Sequence, residues 1–197
     1  AGVAARGSAD AGTGARRGEP AARPAVEMVI AGRGVIRIEL LPREAPKAVR
    51  HFLALVDRKF YDGVLFHRVE PKQVAQAGDP ESRAVDGRKI AGIPSADAAR
   101  LYHLGAGGSG ETVPLEAGGV CLRGTIGLAR GVDPNSGDSQ FFFNLADNHR
   151  LDSQYTVFGR VVSGADVMDR IEQGDRVKSI RRVKLSARTP RRGRASR

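Results

Sequence analysis

Two short segments hold the residue types that could do chemistry. Phe66-His67-Arg68 puts one arginine at the end of a stretch that reads as a strand, and Ser139-Gln140-Phe141-Phe142 sets an amide side chain beside three phenylalanines. A fixed guanidinium and a primary amide next to aromatic walls describe an apolar pocket with one cation, suited to gripping a peptide. Nothing beside them supplies a means of cutting one. Ser109 lies outside a nucleophile elbow, because Glu111 stands where the final glycine of G-x-S-x-G is needed. His51, His67, His103 and His149 fall in unrelated contexts with no Cys or carboxylate at metal-ligand spacing, so no metal site is expected. Gly105-Ala106-Gly107-Gly108-Ser109-Gly110 has the spelling of a dinucleotide loop. That loop works only between a strand and a helix N-terminus, and Pro114 and Gly118-Gly119 leave no room for a helix, so a flexible turn is expected and no cofactor.

The elements that must position these residues are legible in the hydrophobic pattern. Val26 to Ile30, a Gly32-Arg33-Gly34 turn, and Ile36, Ile38 and Leu40 alternating with Arg37 and Glu39 predict a hairpin with one wet face. Pro46 is suited to the first turn of a helix, and Val49, Phe52, Leu53, Val56 and Phe60 recur at helical spacing. After the Asp62-Gly63 turn, Val64 to Val69 reads as the strand that delivers Arg68. Further strands are predicted at 125–129, 140–144, 155–162 and 177–185, with a second short helix around Val167, Met168 and Ile171. In the phenylalanine run, alternation sends Phe141 and Phe143 into the core and leaves Phe142 on the other face. Many short strands with two helices predict a mainly β fold, a closed antiparallel barrel, since closure removes exposed edges.

At 197 residues and 41% hydrophobic, the chain is sized for one core and one domain. Residues 1–25 are Ala, Gly and Arg with almost no large apolar side chain and are expected to be disordered. Residues 80–120 are too polar for a second domain and too long for an ordinary loop, which predicts an elaborated surface excursion on a domain spanning 26–186. The net charge of +10 is unevenly placed. Residues 176–197 hold ten Lys/Arg and no acid, and with +2 in residues 1–25, residues 26–175 carry −2. The basicity is an appendage whose end, 187–197, either keeps the protein in solution or meets an anionic partner such as RNA, a ribosome or a membrane surface. The lone Cys121 excludes an internal disulfide. An Arg-rich, Lys-poor chain beginning at Ala1 fits an exported or organellar protein that has lost a leader, with a cytoplasmic location as the alternative.

From Val26 to Leu185 the chain resembles the cyclophilins, a family of peptidyl-prolyl cis-trans isomerases. The resemblance is carried by Ala45-Pro46-Lys47, Phe60-Tyr61-Asp62-Gly63, Phe66-His67-Arg68-Val69, Gln76-Ala77-Gly78-Asp79-Pro80, Gly124-Thr125-Ile126-Gly127-Leu128-Ala129-Arg130, Ser139-Gln140-Phe141-Phe142 and Phe158-Gly159. Ala129-Arg130 and the run from Leu151 to Gly159 look most like bacterial-type members. The resemblance implies an eight-stranded antiparallel barrel capped by two helices. It also implies an isomerase that acts without covalent chemistry on proline-containing peptides and folding proteins as a monomer, with no cofactor. Arg68 would be the electrophile at the prolyl nitrogen, with Gln76 and Gln140 holding the substrate backbone and the Ala129-Arg130 backbone adding a strand-like contact. Phe142 and Leu151 would line the proline slot, with Tyr155 where many members carry histidine.

Four positions depart from the family pattern. Gln73 stands where most members have phenylalanine, Val74 where methionine is frequent, Ala77 in place of a glycine, and Arg150 where some members place a tryptophan that contacts cyclosporin. A buried Gln73 in place of an aromatic wall loses apolar contact worth about 1–3 kcal/mol. Weaker proline binding and poor cyclosporin sensitivity are therefore expected. The alternative is a catalytically weak binding or scaffold module that docks through the 80–120 excursion or the basic tail.

Overall fold

The structure, a computed structural model, describes residues 24–185. The predicted disordered segment lies outside this range except for its last two residues, which begin the first strand, and the basic end 187–197 lies wholly outside it. The opening hairpin pairs β1 (Pro24–Ile30) with β2 (Gly34–Leu40), placing Val26 opposite Ile38 and Met28 opposite Ile36 on the buried face. Helix α1 (Pro46–Asp57) follows, with Pro46 at its start and Ala48, Val49, Phe52, Leu53, Leu55 and Val56 buried. Ala45 has no side chain to cap it. Glu116, some seventy residues on, accepts from the Lys47 and Ala48 amides at 3.0 and 2.9 Å and supplies the missing carboxylate.

The remaining strands are β3 (Arg68–Glu70), β4 (Val74–Ala77), β5 (Thr125–Leu128), β6 (Phe141–Asn144), β7 (Thr156–Ser163) and β8 (Val177–Lys184). They form one antiparallel sheet with β1 and β2, in the order β3-β4-β6-β5-β7-β2-β1-β8. Its concave side holds the main core, where Phe52, Tyr61, Phe66, Phe141, Phe143 and Phe158 meet ring against ring. Helix α3 (Ala165–Asp169) packs on β2, and no helix among the described residues is long and apolar enough to cross a membrane.

Three expectations need correction. The sheet curls but does not close as a ladder. Its end strands β3 and β8 share no pairing, and residues 63–66 meet 174–177 through one isolated bridge, Leu65 to Arg176, and a few main-chain bonds such as Phe66 N–H to Asp175 O at 2.8 Å. The predicted strand from Val64 begins only at Arg68, because the preceding residues are engaged with this seam. There are also three α-helices rather than two, since the 80–104 stretch contains α2 (Ser95–Tyr102).

That excursion is built over the seam. Val64 and Phe66 point into the main core, while Leu65 between them points outward and packs with Ile90, Ala98 and Leu104 in a small second core. Gln173 donates to the carbonyls of Ile90 and Ile93 at 2.7 and 2.9 Å and accepts from the Ser95 hydroxyl at 2.7 Å. Arg176 donates to the carbonyls of Gly63, Arg83 and Val85, tying the seam to the start of the excursion. An edge left unladdered by the curl is thereby covered by polar anchoring and a few apolar contacts. Replacing Arg176 by Ala is expected to cost about 1.5–3 kcal/mol in urea unfolding, the range for hydrogen bonds to a charged group. Amide exchange at Phe66 and Val177 should accelerate more than in β1 and β2, and uniform exchange across the sheet would show that the seam has no separate anchor.

Candidate active site

Register places the site. Gln76 on β4 lies opposite Arg68 on β3 and opposite Phe142 on β6, so the three side chains share the convex face of the sheet. Ala75 and Ala77 on β4, and Phe141 and Phe143 on β6, take the concave face and enter the core. The polar residues form a row. Arg68 Nη1 donates to Gln76 Oε1 at 3.3 Å, Gln76 Nε2 donates to Gln140 Oε1 at 2.9 Å, and Gln140 Nε2 donates to the Gly107 carbonyl at 2.8 Å. Arg68 also faces Glu70, its neighbour on the same strand face, at 3.6 Å, and its side chain remains 46% exposed. The guanidinium is thus oriented from two sides and open on the others.

Gln140 is held firmly because the residues before it are. The Ser139 hydroxyl donates to the Gly78 carbonyl at 2.8 Å, and the buried Tyr61 hydroxyl donates to the Ser139 carbonyl at 3.0 Å. Gly78 has φ +99°, and a Cβ there would lie 2.5 Å from the Ser139 carbonyl oxygen, so only glycine allows this approach. Asp79, fully buried, accepts from the Glu81 amide at 2.9 Å and from the Gly105 amide at 2.5 Å, joining the two ends of the excursion. The glycine-rich segment 105–110 is therefore a tied loop rather than the flexible turn expected. Its amides do meet carboxylates, but those of its own chain: Gly105 turns to Asp79, while Ser109 and Gly110 each donate to Asp138 at 3.0 Å. Beside this loop lies a cavity of about 540 Å³ lined by Gln76, Gly107, Ala129, Arg130, Asp138 and Gln140.

On the other side of Gln140 the wall is aromatic. Phe142 is nearly buried and meets Tyr155 edge to face, with ring centroids 5.3 Å apart at 84°. Arg130 stacks over Tyr155, its Cζ 4.9 Å from the ring centroid, and donates to the Gln154 carbonyl at 2.9 Å. Ala129 extends the β5–β6 pairing through its amide to the Gln140 carbonyl at 2.8 Å, and Arg130 continues past the last paired position. Val74 is buried on the same strand face as Gln76, and Leu151, half-buried, sits in a short 3-10 turn (His149–Leu151) of the segment that ends in Tyr155. Gln73 is placed otherwise. It closes the β3–β4 turn, where Lys72 has φ +61°, and its exposed side chain accepts from Arg150 Nη2 at 2.6 Å. It is a polar rim residue rather than a deficient core wall, so a burial penalty does not apply to it.

One contributor escaped the sequence reading. Gly127 lies opposite Phe142 in the β5–β6 register, and a Cβ there would come within 2.5–3.1 Å of three atoms of the Phe142 ring. The ring lies across the space that glycine leaves; a glycine in mid-strand was the available signal.

Arg68 is the charged member of the polar row. His67 is 3% exposed. Burial holds its pKa below the ordinary histidine value; Asp79, the Leu65 main chain and the Gln140 side chain pull the other way, and Arg68 adds to the lowering. No group of three or more His, Cys, Asp or Glu among the described residues could hold a metal ion. The row offers N–H donors beside an apolar slot, chemistry suited to peptide carbonyls and one apolar ring.

Comparison with known proteins identifies the family and the fold. The family model described as cyclophilin type peptidyl-prolyl cis-trans isomerase/CLD matches residues 25–188. A probable peptidyl-prolyl cis-trans isomerase of Brucella suis is 43% identical over 143 residues, covering 72% of this chain and 68% of the relative. The isomerase of Helicobacter pylori is 34% identical over 167 residues, covering 82% and 89%. Among solved structures, a cyclophilin type isomerase of Cryptosporidium parvum matches with a TM-score of 0.65 at 22% identity, over 84% of this chain and 99% of that one. The same protein in the presence of the dipeptide Ala-Pro matches with a TM-score of 0.65 at 23% identity, over 83% and 99%. At such identity these structures speak to the fold.

The Gly127 contact gives a direct check. Gly127→Ala should displace the Phe142 ring, changing the ring-current shifts of Phe142 and Tyr155, and cost about 1–3 kcal/mol in urea unfolding as an overpacking substitution. Unaltered aromatic resonances would mean that the ring does not depend on the glycine.

Proposed function

The chain belongs to the cyclophilin-type peptidyl-prolyl cis-trans isomerases, and from that premise we infer that it rotates X-Pro bonds with Arg68 as the electrophile. The barrier to rotation, about 18–20 kcal/mol, comes from amide resonance. As the bond twists, the prolyl nitrogen leaves conjugation and regains a basic lone pair. A guanidinium N–H donated to that nitrogen stabilises the twisted state more than either planar isomer, which is the condition for raising the rate. Arg68 is always charged, and Gln76 and Glu70 orient it while leaving other donors open. No bond to the protein forms or breaks.

Gln76 and Gln140 each commit one amide N–H within the row and keep a second for substrate carbonyls. The backbone at Ala129-Arg130 adds a strand-like contact. Phe142, Leu151, Tyr155 and Val74 receive the proline ring, a contact that favours both isomers alike and so sets affinity. Gln73 and Arg150 supply a polar rim where an aromatic one would grip, which supports weak proline binding and poor cyclosporin sensitivity. Proline-containing peptides and folding chains are the partners this reading assigns, in line with the Ala-Pro dipeptide present with the Cryptosporidium parvum protein. All these residues come from one chain, so a monomer suffices, and the basic end would serve any weak anionic partner.

The observation that carries this reading is the hydrogen-bonded row Arg68–Gln76–Gln140 beside the Phe142 ring. Arg68→Ala should lower kcat/KM for a proline peptide by about 10²–10³-fold, the scale for losing one preorganised transition-state donor, with unfolding by urea unchanged within about 0.5 kcal/mol. Wild-type protein that leaves the uncatalysed exchange rate unaltered would end the enzyme reading and leave a binding module.

A further inference from the structure

The slot is flanked by two arginines with no carboxylate of their own. Arg130 sits over the ring of Tyr155, which meets Phe142 edge to face. Its hydrogen bonds are to main-chain carbonyls, Gln154 at 2.9 Å, Gly131 at 2.9 Å and Val132 at 3.3 Å, which fix the guanidinium without neutralising it. Arg150 precedes Leu151, is exposed, and binds the neutral Gln73 amide. Gln154 joins the two: its carbonyl accepts from Arg130, and its side chain donates to the Arg150 carbonyl. Both cations are therefore fastened to the segment that carries Leu151 and Tyr155. Among the described residues neither forms an ion pair, whereas Arg68 is partnered by Glu70. The nearby acids are engaged by other partners: Asp133 accepts from the Asn135 amide, Asp138, which lines the same cavity as Arg130, from the Ser109 and Gly110 amides, Asp147 from the Arg123 amide, and Asp152 from the Cys121 amide and the His149 ring.

We propose that Arg130 and Arg150 make this isomerase selective for prolines flanked by Asp or Glu. The inference rests on the reading of the slot given above and adds a substrate class to it. A peptide lying along the Ala129-Arg130 backbone with its proline against Phe142 carries its neighbouring side chains past these two guanidiniums. A carboxylate there gains a bidentate partner, and an ammonium group meets like charge. Partly exposed pairs give roughly two- to fivefold each in binding and are screened by salt.

The test uses the full chain and three peptides that differ only in having Glu, Gln or Lys on both sides of the X-Pro pair, with exchange rates read by NMR. At low salt the Glu peptide should exceed the Lys peptide by about five- to tenfold in kcat/KM, with Gln between, and the ratio should fall below about twofold in 0.5 M NaCl. Arg150→Gln should reduce the Glu-to-Lys ratio by about two- to threefold, and Arg150→Lys should retain most of it. Arg130→Gln with Arg150→Gln should bring it near one, each ratio being normalised to the Gln peptide in the same variant. Equal rates on all three peptides, or a ratio that survives the double substitution, overturns the proposal. If no peptide is accelerated, the isomerase reading fails, and chemical-shift titration with the same peptides decides the charge preference alone: tighter Glu binding upholds it, equal binding ends it.

Discussion

The register between β3, β4 and β6 is the constraint on which the rest depends. Because strand side chains alternate, one pairing sends Ala75, Ala77, Phe141 and Phe143 into the core and Arg68, Gln76 and Phe142 to the convex face. A slip of one residue would bury Gln76 and expose two phenylalanines, so the hydrophobic core itself enforces the alignment of the polar row. The site needs no stabilisation of its own to stay in register. Its side chains are fixed by the same apolar burial that fixes the fold, and the local devices, Gly78 against Ser139 and Gly127 beneath Phe142, trim distances within that frame.

The excursion over residues 80–104 takes its form from a second constraint, the sheet that curls without laddering its ends. Leu65, sent outward by the alternation that sends Val64 and Phe66 inward, needs a cover, and Ile90, Ala98 and Leu104 provide it. Asp79 then closes the loop at its base, satisfied at both ends by backbone amides. The same return path brings Gly107 to Gln140, so the segment that covers the seam also supplies the last acceptor of the polar row. Seam and site are coupled through one buried carboxylate.

Much of this was legible in the sequence, and the omissions have physical reasons. The hairpin, α1 and the strands around Thr125, Phe141, Thr156 and Val177 show clear apolar periodicity, and the phenylalanine run announces which rings face inward. Strand β4 was not foreseen, because four residues between a turn and a glycine hold no periodic pattern and their pairing is entirely long-range. Helix α2 buries only Ala98, too little for an amphipathic signature. Closure was inferred from strand number, but whether the two ends ladder depends on how Gly63 to Phe66 passes β8, which no local pattern encodes. Gln73 was expected at a pocket wall and lies on the rim, because the β3–β4 turn at Lys72 carries its side chain outward. Arg68 and Gln140 stand out by residue type beside the aromatic runs, but their roles and the whole of Gln76 come only through family resemblance, since the meeting of the three depends on strand pairings that link positions far apart in the chain.

The central claim is that Arg68, Gln76 and Gln140 act as one row, with Gln76 orienting the guanidinium as well as offering a donor of its own. A double-mutant cycle on kcat/KM for a proline peptide, with Arg68→Ala, Gln76→Ala and both together, measures this directly. The row predicts that Gln76→Ala loses most of its effect once Arg68 is gone, a coupling of at least about 1 kcal/mol. Losses that add in full would show that the two side chains act independently.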